Sequence, residues 1–303
     1  MFIYTIVNVG SEKLLKEEIS IKYPHLKFAY SRPGFITFKD TNENFDINTK
    51  LDLIFARTYG LCIGKFTKEN ALIEIENYKN TKVHKFSYIN ENTSGEKAKI
   101  NETILDFIEL KEDEIWLGIK KIKNNSWKFP FGNPNIILPE ESPSRAYLKI
   151  SEAFSLVDFE LKGQTVLELG SAPGGASYSM IQKGLKVYGV DNAEMADIVT
   201  SNSLFHHLKA PMQKIRDENI PRPCEILVSD VNVMPSLILA QLKRFMSLRP
   251  GIKHVFYTLK IGDKISIKEV LSHVNTFKKF GFKEIIATQL PSNKSEILLY
   301  GKK

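Results

Sequence analysis

Residues 165–183 read TVLELGSAPGGASYSMIQK. Five apolar-rich residues, 165–169, make a short buried strand, and residues 174–183 make a helix. Between them runs the loop Gly170-Ser171-Ala172-Pro173-Gly174-Gly175. Glycines let a backbone adopt positive φ and come close to a ligand. The free N–H groups of the following helix face a carboxylate or phosphate. A strand, a glycine loop and a helix at the first crossover is where doubly wound sheets bind ligands. A second strand, KVYGV at 186–190, leads to Asp191, 21 residues beyond Gly170. A carboxylate at that place can accept hydrogen bonds from both hydroxyls of a ribose.

The motif leaves three readings open: a glycine turn without ligand, a dinucleotide site, or a nucleoside cofactor of another kind. The dinucleotide fingerprint sets two glycines one residue apart so that a pyrophosphate meets the helix. Here Ser171 and Ala172 separate Gly170 from a Pro-Gly-Gly corner. Glu168, just before the loop, suits a cofactor with a cationic amino group, which favours S-adenosylmethionine.

Outward from the motif, strands and helices keep alternating. Residues 145–159 read as a helix, 225–229 (EILVS) and 254–259 (HVFYTL) as buried strands, and 235–247 as the helix between them. This βαβ pattern implies a parallel sheet covered on both faces. The end departs from it: residues 282–289 and 295–301 are two strands joined by LPSNK with no helix between. A closing hairpin on a parallel sheet is the seven-stranded, Rossmann-like α/β arrangement of S-adenosylmethionine-dependent methyltransferases. Upstream, PFGNPNIILPEESPS at 130–144 holds four of the 13 prolines and reads as a connection. Domains are therefore expected at 1–140 and 141–303. The first half predicts small, mostly antiparallel sheets: strands at 2–9, 60–66, 82–88 and 113–119, a hairpin at 25–39, and helices at 12–21, 49–57 and 95–110. That is an α+β region.

The charge is divided unevenly. Residues 1–141 carry 20 basic and 20 acidic side chains; residues 142–303 carry 22 and 15, so the whole net charge of +7 lies in the second half. A basic domain attracts polyanions, nucleic acid first among them. The 43% hydrophobic content is ordinary for a globular chain and argues against disorder. Cys62 and Cys224 stand far apart with no CxxC partner, which excludes a zinc site built on cysteine pairs. His206-His207 reads as structural, since neighbouring side chains do not converge on a metal. No apolar run spans a bilayer. The amino terminus lacks a basic n-region and a cleavage site, so a soluble cytoplasmic protein without signal peptide is expected.

Four further residues stand where chemistry is done in such folds: Lys149 on the helix SRAYLKI, Asp230 after EILVS, Lys260 after HVFYTL and Glu296 in SEILLY. The ends of parallel strands beside the cofactor loop form a crevice. Like-charge repulsion and burial there can lower the pKa of one lysine, and a neutral lysine can take the proton of a sugar hydroxyl.

The pieces SRAYLKISEAF, TVLELGSAPGGASY, VYGVDNAEM, ILVSDVN and FYTLKI together resemble the FtsJ/RrmJ family of ribosomal RNA 2′-O-ribose methyltransferases. The nearest branch is RlmM, which modifies a cytidine of 23S ribosomal RNA. PGF at 33–35 and LIFAR at 53–57 are similar to that branch's ferredoxin-like, THUMP-related module, although the first half is shorter here. Arg57 in LIFAR could touch RNA but reads first as a snorkelling arginine on a buried helix.

The resemblance implies a catalytic tetrad of Lys149, Asp230, Lys260 and Glu296, with Lys260 as base. It implies a donor site formed by Ser144, Glu168, Gly170, Ser171, Ala172, Pro173, Gly174, Gly175, Asp191 and Asp230, and no metal. The family's acidic residue near the adenine is missing from HHLKAPMQ (206–213), so main-chain groups at Pro211 and Met212 are expected to meet the base. The aromatics Tyr147, Tyr178 and Phe205 read as core. The implied activity is S-adenosylmethionine-dependent 2′-O-methylation of large-subunit ribosomal RNA, with no obligate protein partner. The rivals are a catalytically silent RNA-binding or assembly factor and a methyltransferase of another RNA.

Overall fold

The computed structural model describes residues 1–90, 92–262 and 265–303. They form two compact units, Met1–Asn135 and Ile136–Lys303. No described helix is long and apolar enough to cross a membrane.

The first unit runs β1 (Phe2–Val7), α1 (Glu12–Lys22), β2 (Leu26–Arg32), β3 (Phe35–Asp40), β4 (Ala56–Phe66), α2 (Lys68–Ile75), β5 (Lys82–Ser87), β6 (Asn92–Ser94), β7 (Thr103–Lys111) and β8 (Glu114–Lys121). These strands make one sheet of eight, ordered β2-β3-β1-β4-β8-β7-β5-β6, rather than several small ones. Its continuity comes from β4, whose first half pairs with β1 and whose second half pairs with β8. The β5–β7 pair is parallel and the other ladders are antiparallel. Tyr4 lies fully buried where β1 crosses the sheet interior. A Cβ at Gly60 would fall 2.7 Å from its hydroxyl and one at Gly118 2.3 Å from its ring, so only glycine leaves it room.

Two expected helices are absent. Residues 49–55 are irregular chain that bends at Ile54–Phe55 and enters β4 at Ala56: Leu51, Leu53, Ile54 and Phe55 are buried, but the Glu18 carboxylate accepts from the N–H groups of Ile54 and Phe55. A side chain from α1 thus takes the backbone donors that helical bonding would have used. Arg57 consequently begins a strand and donates to the Phe131 carbonyl, where a helical arginine was expected. Residues 95–110 contain β7, held between β5 and β8. Its residues Ile104 to Ile108 are buried on both faces, which erases the alternation that marks a strand.

The second unit runs α3 (Ala146–Ser155), β9 (Thr165–Leu169), α4 (Gly175–Gln182), β10 (Lys186–Asp191), α5 (Asp197–Thr200), β11 (Phe205–Lys209), β12 (Ile226–Ser229), α6 (Pro235–Leu248), β13 (His254–Lys260), α7 (Ile267–Lys278), β14 (Glu284–Thr288) and β15 (Glu296–Lys302). The seven strands are ordered β11-β10-β9-β12-β13-β15-β14, and β15 runs antiparallel to both neighbours. This is the Rossmann-like α/β fold with the closing hairpin. The chain winds outward from β9 in one direction to β10 and β11 and later in the other to β12 and β13. The C-terminal ends of β9 and β12 therefore border a switch-point crevice. Val166, Ile226, Val228 and Phe256 from the sheet pack with Ile150, Phe154, Met180 and Ile181 from α3 and α4. Tyr178 and Phe205 belong to that core, and Tyr147 packs against it. The sequence reading passed over α7, although Ser266 and Glu269 form a reciprocal capping box at its start.

Candidate active site

The glycine loop is a bare-backbone cradle. Gly170 has φ +79° and Gly174 φ +115°, both in the left-handed region. A Cβ at Gly170 would lie 2.2 Å from Val231 Cγ1, and one at Gly174 would lie 2.8 Å from Val199 Cγ2. A Cβ at Gly175 would strike Ser144, so the chain before α3 touches the start of α4. The peptide between Ala172 and Pro173 is cis. Ser171 is buried, with its hydroxyl against Met195 Sδ at 3.4 Å and its N–H donating to the Val190 carbonyl at 3.4 Å.

Asp191 ends β10 beside this loop. Its Oδ2 accepts from Ala172 N at 3.0 Å and its Oδ1 from Ala193 N at 3.0 Å. The carboxylate is thereby held in one orientation, and each oxygen keeps a further lone pair for a ribose hydroxyl. Pro211 and Met212 follow β11 as the start of a single 3-10 turn, with the Met212 carbonyl accepting from Arg244 at 2.7 Å. His207 Nε2 lies 3.1 Å from the Asp191 carbonyl and His206 stacks on Tyr188. No metal-binding group of His, Cys, Asp and Glu occurs among the described residues.

Glu168 lies in β9, two residues before Gly170. It is 2% exposed, and its carboxyl accepts a hydrogen bond from Ser177 in α4. Burial pushes its pKa up to about 8, helped by Asp230 and Asp191 and opposed by Ser177. The buried carboxyl ties α4 to β9 through Ser177.

The four residues expected to carry catalysis converge. Lys149 Nζ lies 3.1 Å from Asp230 Oδ2 and 2.6 Å from Glu296 Oε1. Lys260 Nζ lies 2.5 Å from Asp230 Oδ1 and 2.6 Å from Glu296 Oε2. The four side chains close a ring in which each lysine bridges both carboxylates. The register explains it: Lys260 and Glu296 are cross-strand partners on β13 and β15, Asp230 follows the adjacent β12, and α3 brings Lys149. Burial disfavours the charge on Lys260, but Asp230 and Glu296 outweigh it and hold its pKa above the ordinary lysine value. The expected lowering is thus reversed, because two carboxylates face the amine where one lysine repels it.

The ring opens on a cleft of about 630 Å³. Arg145, Asn232, Ser292 and Lys294 also line it; they lie in the quoted segments SRAYLKI, ILVSDVN and LPSNK, but the sequence singled out none of them as a site residue. A buried carboxylate on α3 secures the far wall: Glu152 Oε2 accepts from Ser292 N at 3.0 Å and Ser292 Oγ at 2.8 Å. The available signal was a charge at 152 inside the buried stripe Ile150, Ala153, Phe154.

Comparison with known proteins agrees with this geometry. Residues 143–292 match the FtsJ-like methyltransferase family. The ribosomal RNA large subunit methyltransferase M of Tolumonas auensis is 34% identical over 114 residues, 35% of this chain and 31% of that protein. The proteins of the same name from Azoarcus sp. and Aliivibrio salmonicida are 29% and 28% identical, over 51% and 61% of this chain and 43% and 53% of theirs. The chain thus spans 31–53% of the length of these relatives. The second unit, with its glycine loop and its ring of two lysines and two carboxylates, belongs to the FtsJ-like methyltransferase family.

Proposed function

We propose that this protein methylates a ribose 2′-oxygen of RNA, with S-adenosylmethionine as donor and large-subunit ribosomal RNA as substrate. The observation that carries the reading is the closed Lys149–Asp230–Lys260–Glu296 ring one strand from a glycine cradle. The cradle fits the donor: its backbone is free of side chains at Gly170, Gly174 and Gly175, and Asp191 stands ready for a ribose. Ser144, Ala172, Pro173 and the main chain at Ser171, Pro211 and Met212 complete the site. When bound, S-adenosylmethionine supplies an electrophilic methyl group on a sulfonium.

Lys260 takes the proton from the 2′-hydroxyl. Only its neutral form can do so, and Asp230 and Glu296 keep that fraction small. The same carboxylates make the neutral amine a strong base, because the ammonium formed in proton transfer regains both anions. Lys149 holds Asp230 and Glu296 in place while the proton moves. The remaining acceleration comes from alignment of the hydroxyl in the cleft.

The N-terminal unit is read as the RNA-docking module, residues 1–140, ahead of a catalytic domain at 141–303. Its first four strands, ordered β2-β3-β1-β4 and antiparallel with α1 between β1 and β2, have a ferredoxin-like order. Residues 41–55 replace that fold's second helix with irregular chain of bends and a turn, so the THUMP-related kinship rests on strand order.

The test is calorimetric titration with S-adenosylmethionine, then transfer of labelled methyl to unmodified large-subunit ribosomal RNA with the product mapped. Methyl on a ribose oxygen is expected. Methyl on a base would refute the mechanism, and donor binding without transfer to any RNA would favour a silent binding factor.

A further inference from the structure

Glu114, at the start of β8, is 2% exposed yet lies among three half-exposed cations. Lys65 Nζ is 3.3 Å from its Oε1; Lys111 Nζ and Arg32 Nη2 are 3.5 Å and 3.8 Å from its Oε2. The short bond belongs to none of them: Tyr30 donates to Oε1 at 2.7 Å, and Trp116 Nε1 adds a longer contact at 3.4 Å. Burial works against the carboxylate's charge, but Tyr30, Trp116 and Lys65 hold its pKa down to about 2. The Tyr30 and Trp116 rings stack at 5.5 Å beneath, and the Tyr30 hydroxyl accepts from Arg32 Nε at 2.8 Å.

The charges do not balance. One carboxylate has about four acceptor positions, whereas two lysines and an arginine carry eleven N–H donors. The cations sit at 3.3–3.8 Å, attracted but unsaturated, with side chains 50–63% exposed. The patch has a net charge of +2 on a half of the chain whose total charge is zero. A buried anion fixes its cations on a rigid aromatic floor and leaves their outer donors toward solvent.

Resting on the proposed RNA substrate, we infer that Arg32, Lys65 and Lys111, organised by Glu114, form a phosphate-binding contact of the N-terminal unit for the RNA backbone. Three cations on one rim suit successive phosphates of a strand, and Glu114 supplies an internal counter-ion that limits the grip.

The experiment compares the full-length protein with the variant R32A/K65A/K111A and with E114Q. A control of equal charge loss, K13A/K50A/K79A, removes exposed lysines elsewhere. Binding to transcribed large-subunit ribosomal RNA is measured across salt concentrations, alongside thermal melting and methyl transfer. The triple variant should bind at least tenfold more weakly at low salt, with a salt slope shallower by about 2. Its KM for RNA should rise while kcat and donor affinity stay unchanged. E114Q should shift the other way, with tighter binding and a steeper slope, a sign that lost stability alone would not produce. Equal weakening in the control, or unchanged binding in both patch variants of a protein that methylates RNA, would overturn the inference and spare the proposed function. A wild-type chain that neither binds nor methylates RNA would overturn both. Loss of binding to phosphatidylserine vesicles, with RNA binding intact, would assign the patch to a membrane instead.

Discussion

At Lys260 the sign of the pKa shift decides how catalysis depends on pH. Partial burial alone would have lowered its pKa. The two carboxylates at 2.5 Å and 2.6 Å reverse that and raise its pKa. A lysine with a raised pKa is protonated throughout the neutral range, and its neutral form grows as pH climbs past the ordinary lysine value of ~10.4. The rate of transfer at saturating substrates should therefore keep rising with pH to the limit of the protein's stability; a plateau near pH 8 would contradict this. Lys260→Ala should slow transfer by roughly 10²–10⁴-fold while donor affinity persists. Lys260→Arg should be as inactive, since guanidinium keeps the bridging charge but cannot give up its proton. Asp191 has two tasks, its ligand lone pairs and its grip on Ala172 and Ala193. Asp191→Ala should weaken donor binding by roughly 1.5–3 kcal/mol, as for a charge-assisted hydrogen bond. Unchanged affinity by calorimetry would place the ribose elsewhere.

In the strand–loop–helix element from β9 to α4, Glu168 joins strand to helix through Ser177. Its folded pKa of about 8 stands far above the ordinary glutamate value of ~4.3. Below pH ~4.3 both folded and unfolded carboxyls are protonated and the native contribution is intact. Between that pH and about 8 the folded state keeps a proton that the unfolded chain has lost, so stability declines as pH rises. At ~1.4 kcal/mol per pH unit the loss amounts to a few kcal/mol. Glu168→Gln preserves the Ser177 contact without a titrating group. It should melt higher than the wild type at pH 8 and near it at pH 5; equal melting at both would show that the carboxyl is not buried neutral. In the same element Gly170→Ala is strained by φ and by Val231. It should lower both donor affinity and melting temperature.

For the whole molecule, the charge asymmetry gives a measurable division of labour. The excess of +7 in residues 142–303 should make RNA binding by the full chain fall steeply with salt. A fragment of residues 136–303, which has its own core, should bind S-adenosylmethionine as the full chain does and bind ribosomal RNA more weakly. A fragment that methylates as well as the full chain would remove the docking role from the first unit. The glycine loop, Asp191, the βαβ alternation, the closing hairpin and the identities of Lys149, Asp230, Lys260 and Glu296 were all legible in the amino-acid order. The loop, the alternation and the hairpin depend on local spacing, a period of two or 3.6 and a glycine where φ must be positive, whereas the four residues were picked out as a set by the resemblance to the FtsJ/RrmJ family. The two helices expected at 49–57 and 95–110 failed because their conformation is set from outside. Glu18 claims the backbone donors of the first segment, and flanking strands bury both faces of the second. The burial of Glu168, the closing of the ring through cross-strand register and the raised pKa of Lys260 likewise came only from the tertiary structure. Burial and charge are sums over neighbours distant in sequence, and no local pattern records which carboxylates will face a given amine.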